Sequence, residues 1–141
     1  LLFTLDGKLW TADPHGGHET PIGNDAATAG TFFDARYSPD NTHIAASLLP
    51  AQGVSEASGR VIALMHDDGE YLTILTGHLR DDAAAPTWSP DGKRIAFIVA
   101  SGKIGLQGRL HDVWVMRFNG RQQSNSTHGT LGDVTAAIWG R

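Results

Sequence analysis

The chain has 141 residues, a length that suits one domain with a sizeable core. The net charge is −4 and the eleven Lys and Arg form no run, so the composition excludes the basic surface of a nucleic-acid-binding protein. There is no cysteine, which excludes disulfides, Cys-bound zinc and a thiol nucleophile, and no stretch reaches the roughly 18 apolar residues of a membrane-spanning helix.

The first third of the chain predicts short strands separated by tight turns. Three strands are expected at 1–5, 8–12 and 19–22, the last after Gly16-Gly17. An apolar run then ends at Tyr37, and Ser38-Pro39-Asp40 predicts a tight turn into a further strand at 43–49. No window shows a helical period, so we predict no helix.

The same order of elements continues through the rest of the chain. A third strand at 61–65 leads through Asp68-Gly69, a strong hairpin signal, to a weaker strand at 71–75. An apolar run ending at Trp88, the Ser89-Pro90-Asp91 turn and strands at 94–99, 113–116 and 122–126 then repeat the pattern. The segment 134–139 reads as one more first strand.

One aromatic residue marks each repeat. Tyr37, Trp88 and Trp139 are spaced 51 and 51 residues apart, so the chain contains an internal repeat whose units cannot bury their apolar faces alone. Four short antiparallel strands per repeat are typical of a β-propeller blade. We therefore predict an all-β fold of β-propeller blades, about three blades' worth in this chain. The whole of 1–141 forms one propeller segment: a partial blade at 1–30, blades at 31–79 and 80–130, and the first strand of the next at 131–141.

The repeat resembles that of TolB-type (WD40-like) propellers. The resemblance is carried by Pro86-Thr87-Trp88-Ser89-Pro90-Asp91-Gly92-Lys93-Arg94-Ile95-Ala96-Phe97, by Val113–Met116 and by Asn119-Gly120. The copy at Tyr37 departs from it with Asn41-Thr42-His43, and the last copy lacks Ser-Pro-Asp. The resemblance implies a ring of six or seven blades and a periplasmic or otherwise exported protein, whereas the residues alone leave a cytoplasmic location open. It is shared by periplasmic scaffold proteins and by the gating domains of prolyl oligopeptidase-like enzymes.

Three blades' worth of strands would leave two radial faces uncovered, because propellers close with about four to eight blades. We expect the remaining blades of a longer protein, or a second copy of the chain, to cover these faces. The chain is accordingly predicted not to be a stable lone monomer.

Strand alternation places the second-to-third and fourth-to-first connections on one side of the propeller, which we call the loop-rich face. The connections expected there are 50–60, 77–85, 101–112 and 127–133, and the glycines at 102, 105 and 108 suggest a mobile loop. We predict that this face binds a protein or peptide partner. The preferred candidates are Arg80, Asp81, Asp82, Arg109, His111, His128 and Asp133, with Gln52, Glu56, His78 and Lys103 as further members; any one of them is more often an ordinary solvated residue.

Two carboxylates recur six residues before an aromatic marker. Asp82 and Asp133 precede Trp88 and Trp139, and they would serve either as a ring of acceptors or as caps of backbone N–H groups. The structural role is favoured. The large aromatic side chains, Trp10 and Trp114 included, are expected to pack between blades rather than to form a carbohydrate platform.

Catalytic and metal-binding patterns are weak. His15, His18 and Glu19 lie in a predicted turn and His66 precedes Asp67-Asp68, but neither set predicts three convergent ligands, so no metal or cofactor is expected. Gly53-Val54-Ser55-Glu56-Ala57 fails as a nucleophile elbow at its last position. We therefore expect a noncatalytic binding or scaffold module. The alternatives are the substrate-gating propeller of a prolyl oligopeptidase-type peptidase and a metal-dependent polysaccharide-active propeller.

Overall fold

The computed structural model describes residues 1–23, 25–57, 59–79, 82–105, 108–128, 134 and 136–140, and only the backbone within 101–110. Three antiparallel sheets follow one another along the chain, with the orders β1-β2-β3, β4-β5-β6-β7 and β8-β9-β10-β11. Their bounds are β1 Leu2–Leu5, β2 Lys8–Thr11, β3 Thr20–Pro21, β4 Gly30–Tyr37, β5 His43–Pro50, β6 Val61–His66, β7 Thr73–Ile74, β8 Asp82–Trp88, β9 Arg94–Gly105, β10 Gly108–Arg117 and β11 Ser124–Asn125. These sheets are the expected propeller blades, and we refer to them as the first, second and third blade.

The repeated Ser-Pro-Asp turn joins the first two strands of the second and third blades. The Ser38 hydroxyl donates to an Asp40 carboxylate oxygen at 2.6 Å, and Ser89 does the same with Asp91 at 2.6 Å. These bonds, with those from nearby backbone N–H groups, lower the pKa of Asp40 to about 2 and lower that of Asp91. The turn sequence thus produces the same local structure twice.

The apolar side chains of the second blade are buried on both faces of its sheet. Ile44 and Ala63 belong to a cluster shared with the first blade, whereas Ala45 and Ile62, each one position away on the same strand, belong to a cluster shared with the third. Successive side chains of a strand point to opposite faces, so a sheet between two others needs apolar residues at every position. Burial of each such Ile or Leu side chain stabilises the folded state by about 1.5–3 kcal/mol relative to its exposure to water.

The recurring aromatic residue joins neighbouring blades, as the repeat predicts. Trp88 is 9% exposed, packs in the cluster between the second and third blades, and donates from Nε1 to the Arg36 carbonyl oxygen at 3.2 Å. Trp139 repeats this bond to the Thr87 carbonyl at 3.1 Å. The prediction of inter-blade packing is confirmed for Trp88.

Two expectations about secondary structure are wrong. A five-residue helix, α1 at Asp25–Ala29, precedes β4; three of its residues are Ala, the best helix former, and one and a half turns are too short to show a period. The expected loop at 101–112 is instead a hairpin, because β9 and β10 pair from Arg94↔Arg117 to Gly105↔Gly108. Gly105 and Gly108 pair with each other, and Gly102 lies in β9 at the register shift between Arg109 and His111, so all three glycines lie in strands.

Two smaller differences concern strand ends. The connection expected at 77–85 is shorter, since β8 begins at Asp82. Of the segment 134–139, the residues that the structure describes are assigned to no strand, although Trp139 holds the position of an inner-strand aromatic.

Candidate functional site

The structure brings two of the seven preferred candidates together. Asp82 on β8 and His111 on β10 both pair with Ala100 on β9, so the two residues lie in one row of the third blade on either side of Ala100. The backbone of Arg109 lies on β10 opposite Ile104, and His128, which follows β11, is exposed, with its N–H donating to Asn125 Oδ1 at 2.8 Å. Arg80, Asp81 and Asp133 lie outside the described residues.

The four further candidates do not join this pair. Gln52, Glu56 and His78 are exposed on the connections after β5 and β7, and the backbone of Lys103 lies on β9. The residues 51–57 and 59–60 form no strand, as predicted for this connection.

Asp82 connects the second and third blades through Arg60. Its Oδ1 accepts a hydrogen bond from the Arg60 backbone N–H at 2.7 Å. The two carboxylate oxygens also accept hydrogen bonds from Nε and Nη2 of the Arg60 guanidinium, at 2.5–3.1 Å. The side chains are 36% exposed for Arg60 and 24% for Asp82. The hydrogen bonds that Arg60 donates to the Asp82 side chain, with the nearby charges of Asp82 and Asp34, raise the pKa of Arg60, and burial partly opposes them.

A β-bulge recurs at the same position in both inner strands. The register shifts between Phe33 and Arg36 in β4 and between Ala84 and Thr87 in β8, and Asp34 and Ala85 take φ values of 49° and 53°. An Ala residue at positive φ is strained, so the surrounding structure must hold it in this conformation. Bulges commonly change the direction of side chains beside functional sites.

Ser47 connects the two bulges. The Ala85 N–H donates to its hydroxyl oxygen at 2.9 Å, and that hydroxyl donates in turn to Asp34 Oδ2 at 3.4 Å. Ser47 itself is completely buried, whereas Asp34 is exposed. The bulge of the second blade therefore presents a carboxylate to solvent from a rigid, hydrogen-bonded backbone.

Two adjoining cavities share Asp34. One, of about 240 Å³, is lined by Asp34, Arg60, Asp82, Ala84, Ala85, Ile98, Ala100, His111 and Val134. The other, of about 230 Å³, is lined by Asp34, Arg36, Ala85, Pro86, Thr87, Ala136, Ala137 and Ile138. Asp34, Arg60, Asp82 and His111 form what we call the cross-blade cluster.

The histidines that the sequence offered as metal ligands, at 15, 18 and 66, lie away from this cluster. His18 Nδ1 is 3.1 Å from Asp13 Oδ2. The His66 ring is edge-on to that of His43, with ring centroids 5.2 Å apart, and tilted against that of Tyr71, with centroids 4.8 Å apart. Among the residues that the structure describes, no three His, Asp or Glu side chains converge as metal ligands would. In the same part of the chain, no helix has the length and apolar character needed to cross a membrane.

Sequence reasoning missed Asp34 and Arg60. A comparison of the two repeats would have singled out both, since Arg60 lies 51 residues before His111 and Asp34 lies 51 before Ala85. Arg60 and Asp34 are charged, whereas the equivalent residues of the third blade are His111 and Ala85. The contact between Arg60 and Asp82 is not readable from the sequence, because it joins different blades.

Comparison with solved structures identifies the fold. A TolB protein of Agrobacterium tumefaciens matches with a TM-score of 0.65 and 20% identity over 84% of this chain, and TolB of Acinetobacter baumannii with 0.60 and 19% over 84%. The tricorn protease matches more distantly, with a TM-score of 0.53 and 15% identity over 79% of this chain and 12% of its own. No family profile and no curated protein matches the sequence.

The chain is a module of the β-propeller class. More particularly, its fold is TolB-like, as the resemblance of its repeats implies. The chain spans 40% and 26% of the length of the two TolB structures, well under half of each.

Proposed function

We propose that this propeller module is a noncatalytic binding module that engages a protein or peptide partner at the loop-rich face, around the cross-blade cluster. The supporting observation is that Asp34, Arg60, Asp82 and His111 line one cavity, and that Asp34 also lines an adjoining second cavity. Concave sites with a few fixed polar groups on a rigid scaffold are typical of ligand recognition.

The charges of the cluster favour a cationic group of the partner. Asp82 uses both carboxylate oxygens on Arg60, whereas the exposed carboxylate of Asp34 accepts one long bond from Ser47 at 3.4 Å. An ionised carboxylate has about four acceptor positions, so Asp34 retains capacity for a Lys or Arg side chain or an amino terminus. The apolar lining around it, Ala84, Ala85 and Ile98 among others, suits the stem of such a side chain.

Selection of random linear peptides displayed on phage against the immobilised protein tests this function. We expect enrichment of peptides containing Lys or Arg, and a loss of about tenfold in the affinity of a selected synthetic peptide for Asp34→Asn, measured by fluorescence anisotropy. Asn tolerates the positive φ of this position, so the variant removes the charge without disturbing the bulge.

Asp67→Asn is the matched control, because Asp67 is an exposed carboxylate that lines neither of the two cavities. No enrichment over unselected phage, or equal affinity of the wild type and Asp34→Asn, would contradict the proposal.

The resemblance to TolB-type propellers also supports a periplasmic or otherwise exported location. Fractionation of the producing cells checks this location. The protein should be recovered in the periplasmic or extracellular fraction, and recovery in the cytoplasmic fraction would contradict the proposal. The gating and polysaccharide-active alternatives have no observation among the described residues that favours them over binding.

A further inference from the structure

Two histidines face each other across the second and third strands of the second blade, at the end opposite the loop-rich face. His43 begins β5, His66 ends β6, and the two residues pair directly across the strands. The bond that flanks the pair runs from the Asp67 N–H to the Thr42 carbonyl oxygen at 3.2 Å. The histidines therefore form a non-hydrogen-bonded pair, in which opposite side chains come closest, with Cβ atoms about 4.5–5.5 Å apart.

The two imidazole rings have the separation of two rings bound to one metal ion. Their centroids lie 5.2 Å apart. An imidazole nitrogen binds Zn²⁺ at about 2.0–2.1 Å, and two imidazoles at a tetrahedral angle on one such ion have centroids about 5 Å apart. His66 is exposed and His43 is partly buried, so an ion can reach the pair from solvent.

A chain of hydrogen bonds fixes the tautomer of His43. The Thr42 hydroxyl oxygen lies 2.7 Å from His43 Nδ1 and 2.9 Å from Asp40 Oδ1. Hydrogen bonds from the Ser38 hydroxyl, the Thr42 N–H and the Thr42 hydroxyl lower the pKa of Asp40 to about 2, so at neutral pH its carboxylate only accepts. The single hydroxyl proton of Thr42 therefore goes to Asp40, and the Thr42 oxygen accepts the His43 Nδ1–H. Nε2 of the neutral imidazole then carries a lone pair rather than a proton.

Metal-binding histidines commonly have such an outer partner. The ring nitrogen that does not bind the metal donates to an oxygen acceptor, which fixes the ring and raises the basicity of the other nitrogen. For His43 this acceptor is Thr42, and Asp40 in turn accepts from Thr42. The pair thus offers two nitrogen ligands, one of them already oriented.

The third blade shows that the fold does not require histidine at these two positions. Arg94 and Arg117, each 51 residues later in the chain, pair with each other across the equivalent strands. Guanidinium groups stay protonated and have no acceptor for a cation, whereas neutral imidazoles do. The histidine pair is therefore a property of the second blade and not of the repeat.

We propose that His43 and His66 bind one divalent transition-metal ion, each through one imidazole nitrogen, with water in the remaining positions. Imidazole suits Cu²⁺, Ni²⁺ and Zn²⁺, and among first-row ions Cu²⁺ binds a given site of nitrogen and oxygen ligands most tightly. With two protein ligands, the ion exchanges with solvent. The site is distinct from the cross-blade cluster, because Arg60 lies just before β6 and His66 at its other end.

Isothermal titration calorimetry with CuCl₂, on protein purified without a histidine tag, tests the site. We expect His43→Gln or His66→Gln to raise the dissociation constant of Cu²⁺ at least about tenfold, because each removes one of two nitrogen ligands. His78→Gln is the matched control, since His78 is an exposed histidine on the connection after β7 and should leave the affinity unchanged. Equal effects of His66→Gln and His78→Gln would overturn the proposal.

A second measurement separates metal ligation from a structural effect. Pulsed electron paramagnetic resonance of bound Cu²⁺ should show two coordinated imidazoles in the wild type and one in His66→Gln. Thr42→Val keeps both imidazoles but removes the partner of His43, and it should weaken binding by about tenfold while circular dichroism shows folded strands. Equal Cu²⁺ affinity of the wild type and of the variant carrying both His43→Gln and His66→Gln would also overturn the proposal.

Discussion

At the scale of single residues, Trp88 combines a large apolar contact with a polar one. Its ring is buried between the second and third blades, and its indole N–H reaches a backbone carbonyl of the blade before. Buried tryptophans usually need such a partner, so the position selects for an aromatic ring with a donor.

Replacement of Trp88 should therefore separate the two contributions. Trp88→Ala should lower the free energy of unfolding by about 3–5 kcal/mol, whereas Trp88→Phe, which keeps most of the ring, should cost much less than that. Urea denaturation followed by circular dichroism measures both. Tyr71→Asn, at a 69% exposed site with positive φ that Asn tolerates, is the control and should change stability by under about 0.5 kcal/mol; a Trp88→Ala variant as stable as this control would contradict the packing role.

At the scale of the elements, the turn between the last two strands of a blade is also an inter-blade contact. Gly69 sits at positive φ in the hairpin turn after β6, and Ile22 and Gly23 of the first blade lie so close that they leave no room for a Cβ there. Gly69 is thus required for two reasons: the turn needs a residue at positive φ, and the neighbouring blade leaves no room for a side chain.

Gly69→Ala should reveal this double requirement. The added Cβ would lie 2.4 Å from Ile22 Cγ2 and 2.8 Å from the Gly23 carbonyl oxygen, so we expect a loss of roughly 2–4 kcal/mol from backbone strain and steric overlap together. Gly53→Ala is matched in φ, at +86°, but has open space around it and should lose only about 1–2 kcal/mol. Thermal or urea unfolding compares the two, and equal losses would show that inter-blade contact at Gly69 adds nothing.

At the scale of the whole molecule, burial is greatest in the middle strands and falls towards the outer edge of each blade. Ile44, Ile62 and Ile95, on β5, β6 and β9, are fully buried, whereas the outer strands β3 and β11 are two residues long and largely polar. Opening free energies within a protein follow such differences in burial.

Native-state hydrogen exchange should therefore show a gradient across each blade. Amides of β5, β6 and the first half of β9 should exchange slowest, near the rate set by global unfolding, and those next to β3 and β11 fastest. Protection of β11 equal to that of β5 would contradict this ordering and would indicate a further contact along the outer edge.

The pattern of short strands and turns was predictable because it depends on interactions between residues close together in the sequence. Alternation of side chains, Asp-Gly and Asn-Gly turns and the repeated Ser-Pro-Asp specify hairpins within a few residues of each other, and the spacing of Tyr37, Trp88 and Trp139 gives the repeat. The hairpin at β9 and β10 was missed because glycines and polar residues look like a loop until a partner strand satisfies their backbone groups.

The cross-blade cluster depended on tertiary structure. Asp82 was a candidate from its place in the repeat, but its partner Arg60 lies 22 residues earlier, just before β6 of another sheet. Asp34 is exposed at the bulge of β4, where it takes positive φ. The sequence alone determined that this protein is built of repeated four-strand sheets, because strand alternation and turn chemistry act over short range. Only the packing of one sheet on the next decided which charged side chains meet, because that contact depends on strand twist and register.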